Sequence, residues 1–337
     1  MRKRTSIRHK NGANMSAFKH VLCVLTKLQE PDEIVAHAMH VCAKHNAKLT
    51  VLLTLEPLPP NANMVMESFA YIDTFESMQN AAQIRLDKKA EEWRRKMQLD
   101  TQLRIGHSFV EIAKAANELN VDLVVKEAKT DLLDRLFGHE DMRLLSKCPI
   151  PVWLVHRGDT RQYKRIVAAV DVNYHYPEQE LAVRKQLNES VVIQAAQVAV
   201  QENAELHIVH VIDNHIDMVV YDGIVDIGAN AFINNQEETE AERQSAVDEL
   251  VSLIKSANPD ELIDNLHIQT SILTGNARQD IPRAVKDLDA DLLVMGTVAR
   301  VGIPGFFMGN TAESILTQVN CCVLALKPHG FTSPIIS

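Results

Sequence analysis

The residues best placed to do chemistry lie in one loop. From Gly296 the chain reads GTVARVGIPGFFMGNTAE, with glycines at 296, 302, 305 and 309. Glycine lets the backbone approach a bound group closely. A helix beginning just after Gly309 would present unpaired N–H groups and the positive end of its dipole, a combination that favours phosphate. Arg300 could add a two-pronged phosphate contact. Asn310 and Thr311 could offer side-chain donors or cap the helix. Gly296, Thr297, Arg300, Gly302, Gly309, Asn310 and Thr311 are therefore candidate anion-binding residues. Two plainer readings stay open. Asn310-x-x-Glu313 has the form of a capping box, which needs no ligand, and glycine between a strand and a helix is ordinary turn chemistry.

Other chemistries find less support. The chain has neither a G-x-S-x-G nucleophile elbow nor a G-x4-G-K-[ST] phosphate loop, and no pair of acids can be assigned as catalytic. Fourteen histidines invite a metal. His207 and His210 would sit on opposite faces of one strand. His37 and His40 could share a helix face but have no third ligand, so neither a catalytic nor a metal residue is assigned. Five cysteines include no C-x-x-C; Cys321 and Cys322 are adjacent and point opposite ways, as small core residues do. A reducing, cytoplasmic location is the simplest reading.

Composition narrows the field further. The 337 residues carry a formal charge of −9, so a globally basic nucleic-acid surface is absent. No apolar run approaches the ~18 residues of a membrane span. The first 14 residues hold five Lys/Arg and no acid. Residues 1–16 read as a basic, disordered leader, as the product of a start upstream of Met15, or as a nucleic-acid or membrane arm.

The elements that must position the loop are written twice. His20–Thr26 and Arg165–Asp171 are matching β-rich runs. So are Ala47–Leu55 and Ala204–Ile212, Val121–Ala128 and Ala290–Thr297, Pro149–Val155 and Asn320–Leu326. Third strands fit Thr101–Ile105 and His267–Leu273. Helical stripes fit Pro31–His45, Glu67–Met97, Val110–Leu119, Glu237–Ala257, Gln279–Leu288 and Thr311–Val319. Near-continuous apolar strands alternating with helices predict two tandem, doubly wound α/β domains, each with a five-stranded parallel sheet. The expected divisions are a domain over 17–156, a linker over 157–164, a second domain over 165–328 and a tail over 329–337. Ligands of such sheets bind beyond the strands' carboxyl ends, where strand order reverses. The connection 213–235 is long for this class and reads as a surface excursion or a lid.

The loop, the Val-Asp171 ending of the second copy's first strand, Gly275, GNTAESIL and KCPIPVWLV together resemble the universal stress proteins, and the paired domains resemble their tandem E-type branch. The resemblance covers nearly all of residues 17–328. It implies an ATP-binding loop of the form G-x2-G-x9-G-[S/T] in the second copy, with Mg2+ as a companion that Asp171 could help hold. Asp171 would approach the nucleoside, backbone near Val211 would meet adenine, and Gly296, Gly302 and Gly309 would bring N–H groups to the phosphates. Ala299 stands at the family's second glycine, and Asn310 replaces the usual Ser or Thr. In the first copy Glu127 stands where Gly296 stands, Thr26 where Asp171 stands, and Asp131, Asp134, Glu140 and Asp141 add negative charge that would repel a triphosphate. That copy is expected to have no ATP site.

The expectation is a stress-response protein, supporting survival under starvation, oxidative or DNA-damaging stress, that binds an adenine nucleotide in its second domain. It would be no fast enzyme, at most a slow ATPase. Its partners would include no nucleic acid and no membrane, and it would be a homodimer or an intramolecular pseudo-dimer. The alternative is a non-nucleotide interaction module, with any dimer built on the last strands.

Overall fold

Ten apolar runs become ten strands of one continuous sheet. The computed structural model describes residues 18–28, 31–57, 68–128, 137–156, 162–173, 178–213, 229–257, 265–297, 308–331, 333 and 335. The basic leader, most of the linker, and Ala299, Arg300 and Gly302 lie outside them, as do Asp131 and Asp134. The first half runs β1 (His20–Leu25), α1 (Asp32–His45), β2 (Lys48–Leu55), α2 (Ser68–Arg94), β3 (Asp100–Ile105), α3 (Ser108–Glu118), β4 (Leu123–Glu127), α4 (His139–Lys147) and β5 (Val152–Val155). The second half repeats the order with β6 (Arg165–Ala169), α5 (Glu178–Glu202), β7 (Glu205–Asp213), α6 (Ala229–Ala257), β8 (Ile268–Gly275), α7 (Ala277–Asp287), β9 (Leu292–Gly296), α8 (Asn310–Leu316) and β10 (Cys322–Leu326).

The sheet order is β3-β2-β1-β4-β5-β10-β9-β6-β7-β8. Within each half every pairing is parallel, and strand order reverses between the first and fourth strands. The fold class read from the sequence is therefore the one observed. The halves join where β5 and β10 pair antiparallel, Leu154 opposite Val323 and Val152 opposite Ala325. The last strands are thus paired with each other within the chain.

Alternation along the strands sorts side chains into two cores, one on each face. Leu206 and Ile208 of β7 belong to the core that also takes in residues of α1, α2, α5 and α6. Val209 and Val211 face α3, α4, α7 and α8. Cys321 and Cys322 divide between the faces in the same way. All five cysteines are buried and none is in a disulfide; burial pushes Cys148 up to about 11 and Cys42 up to about 12, so these two stay protonated and inert.

The duplication reaches the backbone. Asn46 and Asn203 end α1 and α5 in left-handed conformation, at φ 52° and 54°. Asn120 and Asp289 do the same after α3 and α7. These short polar side chains tolerate positive φ better than others. Asp122 takes the amides of Lys19 and His20, and Asp291 takes those of Lys164 and Arg165, fastening each first strand to its fourth.

Two elements differ from the pattern-based expectation. Helix α5 shows no clear stripe because its later part, VVIQAAQVAV, is buried between the sheet and α6 and is apolar or small on most sides. Helix α6 starts at Ala229, eight residues before the amphipathic run that marks it, so the end of the 213–235 excursion is helix. Residues 214–228 lie outside the described residues. Among the described residues no helix is long and apolar enough to cross a membrane.

Candidate functional site

The second half's reversal lies between β6 and β9. At its mouth stand Asp171, two residues past β6, Gly296 and Thr297 at the end of β9, and Gly309, Asn310 and Thr311 at the start of α8. Parallel strands buried on both faces stop in register here, which is why residues distant in sequence meet. Thr297 gathers both ends of the loop. Its carbonyl accepts from the Gly309 amide at 3.1 Å, and its own amide donates to Leu326 O at 3.1 Å.

Gly309, not Asn310, is the N-cap of α8, and no side chain caps the helix. The capping-box reading of Asn310-x-x-Glu313 is therefore not realised. The amide of Glu313 bonds back to Gly309 O at 2.9 Å. Among the described residues nothing accepts from the amides of Asn310, Thr311 or Ala312, which are the orphan donors of a helix start. Asn310 and Thr311 are exposed. Gly309 has an ordinary extended backbone, at φ −65° and ψ 139°, so any steric need for glycine there concerns what lies against it.

At Gly296 the close approach is internal as well. A Cβ built there would lie 2.5 Å from Leu187 Cδ2 of α5. Val211 sits near the end of β7. Val209 O accepts from Val170 N at 3.0 Å, so the peptide groups of Val209 face β6. Two residues on, those of Val211 face the same way, past the end of β6 and toward the mouth.

Asp171 is held from several sides, and these partners were not visible in the sequence. Arg184 Nη1 donates to its Oδ2 at 2.8 Å, while Arg184 Nε and Nη2 donate to Glu180 Oε1. Asn188 brackets the backbone, accepting from Asp171 N at 3.1 Å and donating to Asp171 O at 2.7 Å. The Asn173 amide donates to Asp171 Oδ1 at 3.2 Å. Asp171 itself stays 47% exposed. Behind it His210 Nδ1 meets Val170 O at 3.1 Å, and burial lowers this imidazole's pKa. Arg243 of α6 is buried nearby and reaches Asn173 Oδ1 at 3.4 Å. A helical Glu180/Arg184 spacing was legible as an i, i+4 pair; that it would grip Asp171 was not.

The matching place in the first half is built otherwise. Gly138 is the N-cap of α4, again without a side-chain cap. Asp141, in that helix's first turn, is fully buried and meets Lys126 Nζ of β4 at 2.5 Å; Lys126 also donates to Glu127 O at 3.0 Å. In the second half these two positions are Met295 and Ala312, both apolar. The first half thus buries an ion pair where the second half has two apolar side chains.

The histidines separate. His37 packs edge-on against Trp153 and Tyr163, and burial lowers it to about 4. His40 reaches Glu202 at 2.6 Å across the seam between halves. His207 and His210 face opposite cores, as spacing requires. Among the described residues no cluster of three or more His, Cys, Asp or Glu could hold a metal.

Comparison with known proteins matches the universal stress protein family model twice, over residues 17–156 and 162–327. A universal stress protein E homolog of Haemophilus influenzae is 28% identical over 325 residues, covering 92% of this chain and 98% of its own. Universal stress protein E of Salmonella typhi is 30% identical over 225 residues, 64% of this chain and 63% of its own. A crystal structure of a putative universal stress protein from Pseudomonas aeruginosa superposes with a TM-score of 0.66 at 23% identity, covering 93% of this chain and 95% of that one. This last likeness is one of fold.

Proposed function

The chain belongs to the universal stress protein family, and on that premise we propose that its second half binds an adenine nucleotide, ATP first among them, in the service of a response to starvation, oxidative or DNA-damaging stress. The observation that carries the proposal is the start of α8. The amides of Asn310, Thr311 and Ala312 have no acceptor among the described residues, and Gly309 before them is bonded to Thr297. The amide of Gly309 is already bonded to Thr297 O, contrary to the expectation that it would meet a phosphate, so a triphosphate there would take N–H groups from Asn310 onward, with the polar side chains of Asn310 and Thr311 beside it. The roles of Arg300 and Gly302 toward the same phosphates belong to this proposal. The nucleoside would lie across the mouth, its sugar toward the exposed side of Asp171 and its base toward the backbone at Val211.

Asp171 is not suited to hold Mg2+ by itself. Its two oxygens are already taken by the Arg184 guanidinium and the Asn173 amide. Any Mg2+ would travel on the phosphates. The reading is of a sensor, with a slow ATPase as its rival. Phosphate release measured with and without Mg2+ separates the two.

Isothermal titration with ATP tests the reading. Heat of binding with a thermal shift is expected; neither at millimolar ATP would end it. Gly309→Val should abolish binding; because Gly309 is buried and caps α8, some loss of stability is expected as well, and circular dichroism checks that the variant is folded.

A further inference from the structure

A single lysine after the last strand joins the two halves at the loop. Lys327 Nζ donates to Leu145 O at 2.5 Å and lies 3.5 Å from Ser146 O, both carbonyls of the last turn of α4 in the first half. The same nitrogen donates to Thr297 Oγ1 at 2.7 Å. Thr297 in turn sends its hydroxyl to Leu326 O at 3.3 Å and receives the Gly309 amide on its carbonyl. The chain of bonds runs from a first-half helix end, through one ammonium, to the residue that closes the second half's loop. Cations are favoured at a helix C-terminus, so α4 is a natural anchor.

The arrangement is one-sided. In the first half the position of Thr297 is Ala128, which has no hydroxyl, and the position of Lys327 is His156. Ala128 keeps only the backbone bond to Val155 O, at 2.9 Å. The duplicated backbone does not need the lysine; only the second loop has it.

We propose that Lys327 is a positioning residue for the nucleotide loop, and that through it the first half sets the second half's affinity for its ligand. The inference rests on the nucleotide reading above for the identity of that ligand. The ammonium is enclosed by the α4 carbonyls, Thr297, Cys148 and the ring of Phe331, whose centroid is 4.9 Å away. Cys148 is the titratable group facing it, and burial keeps that thiol protonated. No carboxylate among the described residues pairs with Lys327. Burial accordingly lowers its pKa to about 7. Below that pH three N–H groups hold α4 and Thr297 together. Above it the amine has two N–H groups and no charge, so the loop is held more weakly and a nearby phosphate loses a cation.

The test uses the full chain. ATP is titrated from pH 6 to 8.5 into wild type, Lys327→Met and Lys327→Arg, and hydrogen exchange of the Gly309 amide is followed without ligand. Lys327→Met should weaken ATP on the order of tenfold at pH 6. Wild-type affinity should fall toward the variant's as pH rises through 7. Lys327→Arg, charged throughout, should stay above Lys327→Met without that decline. Gly309 should exchange faster in Lys327→Met. Equal affinities and parallel pH curves for wild type and Lys327→Met would overturn the proposal. If Lys327→Met does not fold, a wild-type curve as flat as that of Lys327→Arg overturns it instead. Should wild type bind no ATP, the nucleotide reading fails, and Gly309 exchange alone decides: faster in the variant keeps the fastening, unchanged removes it.

Discussion

The helix starts at the two reversals, α4 and α8, are each capped by a glycine in extended conformation and differ in the side chains beneath them. In the first half, Asp141 turns inward from the first turn of α4 and is neutralised by Lys126 in the core. In the second, apolar Ala312 and Met295 take those positions, and the helix start faces the mouth with amides to spare. One helix start has a buried ion pair beneath it; for the other we propose an anion from outside. A duplicated fold can therefore keep every strand register and still assign different work to its halves, because the difference lies in two buried side chains and in the residue that ends the fourth strand.

The comparison can be broken at the ion pair first. Lys126→Met alone leaves a buried carboxylate without its partner and should cost about 3–5 kcal/mol in urea unfolding. Lys126→Met with Asp141→Ala copies the second half's residues and should recover most of that loss. Equal losses in the single and double variants would refute the reading of the pair as a self-contained plug.

A second difference is at the seam. His37 stands where the second half has Gln194. Its pKa is lowered to about 4, so the unfolded chain binds a proton between pH 6.5 and 4 that the folded chain does not. Stability should therefore fall as the pH drops through that window, by roughly 2–3 kcal/mol. His37→Gln should flatten that part of the profile; an unchanged slope in denaturant melts at pH 7, 5.5 and 4.5 would assign it elsewhere, to His210 for instance.

The fourth-strand ends come next. Gly296→Ala drives a Cβ to 2.5 Å from Leu187 Cδ2 and should cost about 1–2 kcal/mol, moderated by the flexibility of that side chain. Glu127→Gly makes the first half resemble the second at this point. It should nonetheless confer no ATP binding there, since Glu140 and the buried Lys126–Asp141 pair remain at that helix start; nucleotide titration of a Gly309→Val background reads this directly.

The smallest effect on stability is expected at Asp171. Its bond to Arg184 is half exposed, so Asp171→Asn should change unfolding by less than about 1 kcal/mol. ATP affinity should fall severalfold all the same, because the oriented carboxylate at the mouth is lost. A large stability loss with unchanged affinity would make Asp171 a structural residue.

Much of this architecture was legible in the amino-acid order. Paired apolar runs and their intervening stripes determined the duplication, the parallel sheets and the place where strand order must reverse, because burial on both faces demands those patterns. The glycines of the second loop and the acids of the first already separated the halves. What the chain alone could not decide was which groups would be left unsatisfied. The bracket of Arg184 and Asn188 around Asp171, the inward turn of Asp141, the absence of a side-chain cap on α8 and the reach of Lys327 from one half to the other all join residues far apart in sequence. Hydrogen bonds and buried charge depend on distances of a few ångströms, and only the closing of ten strands into one sheet brings those distances about.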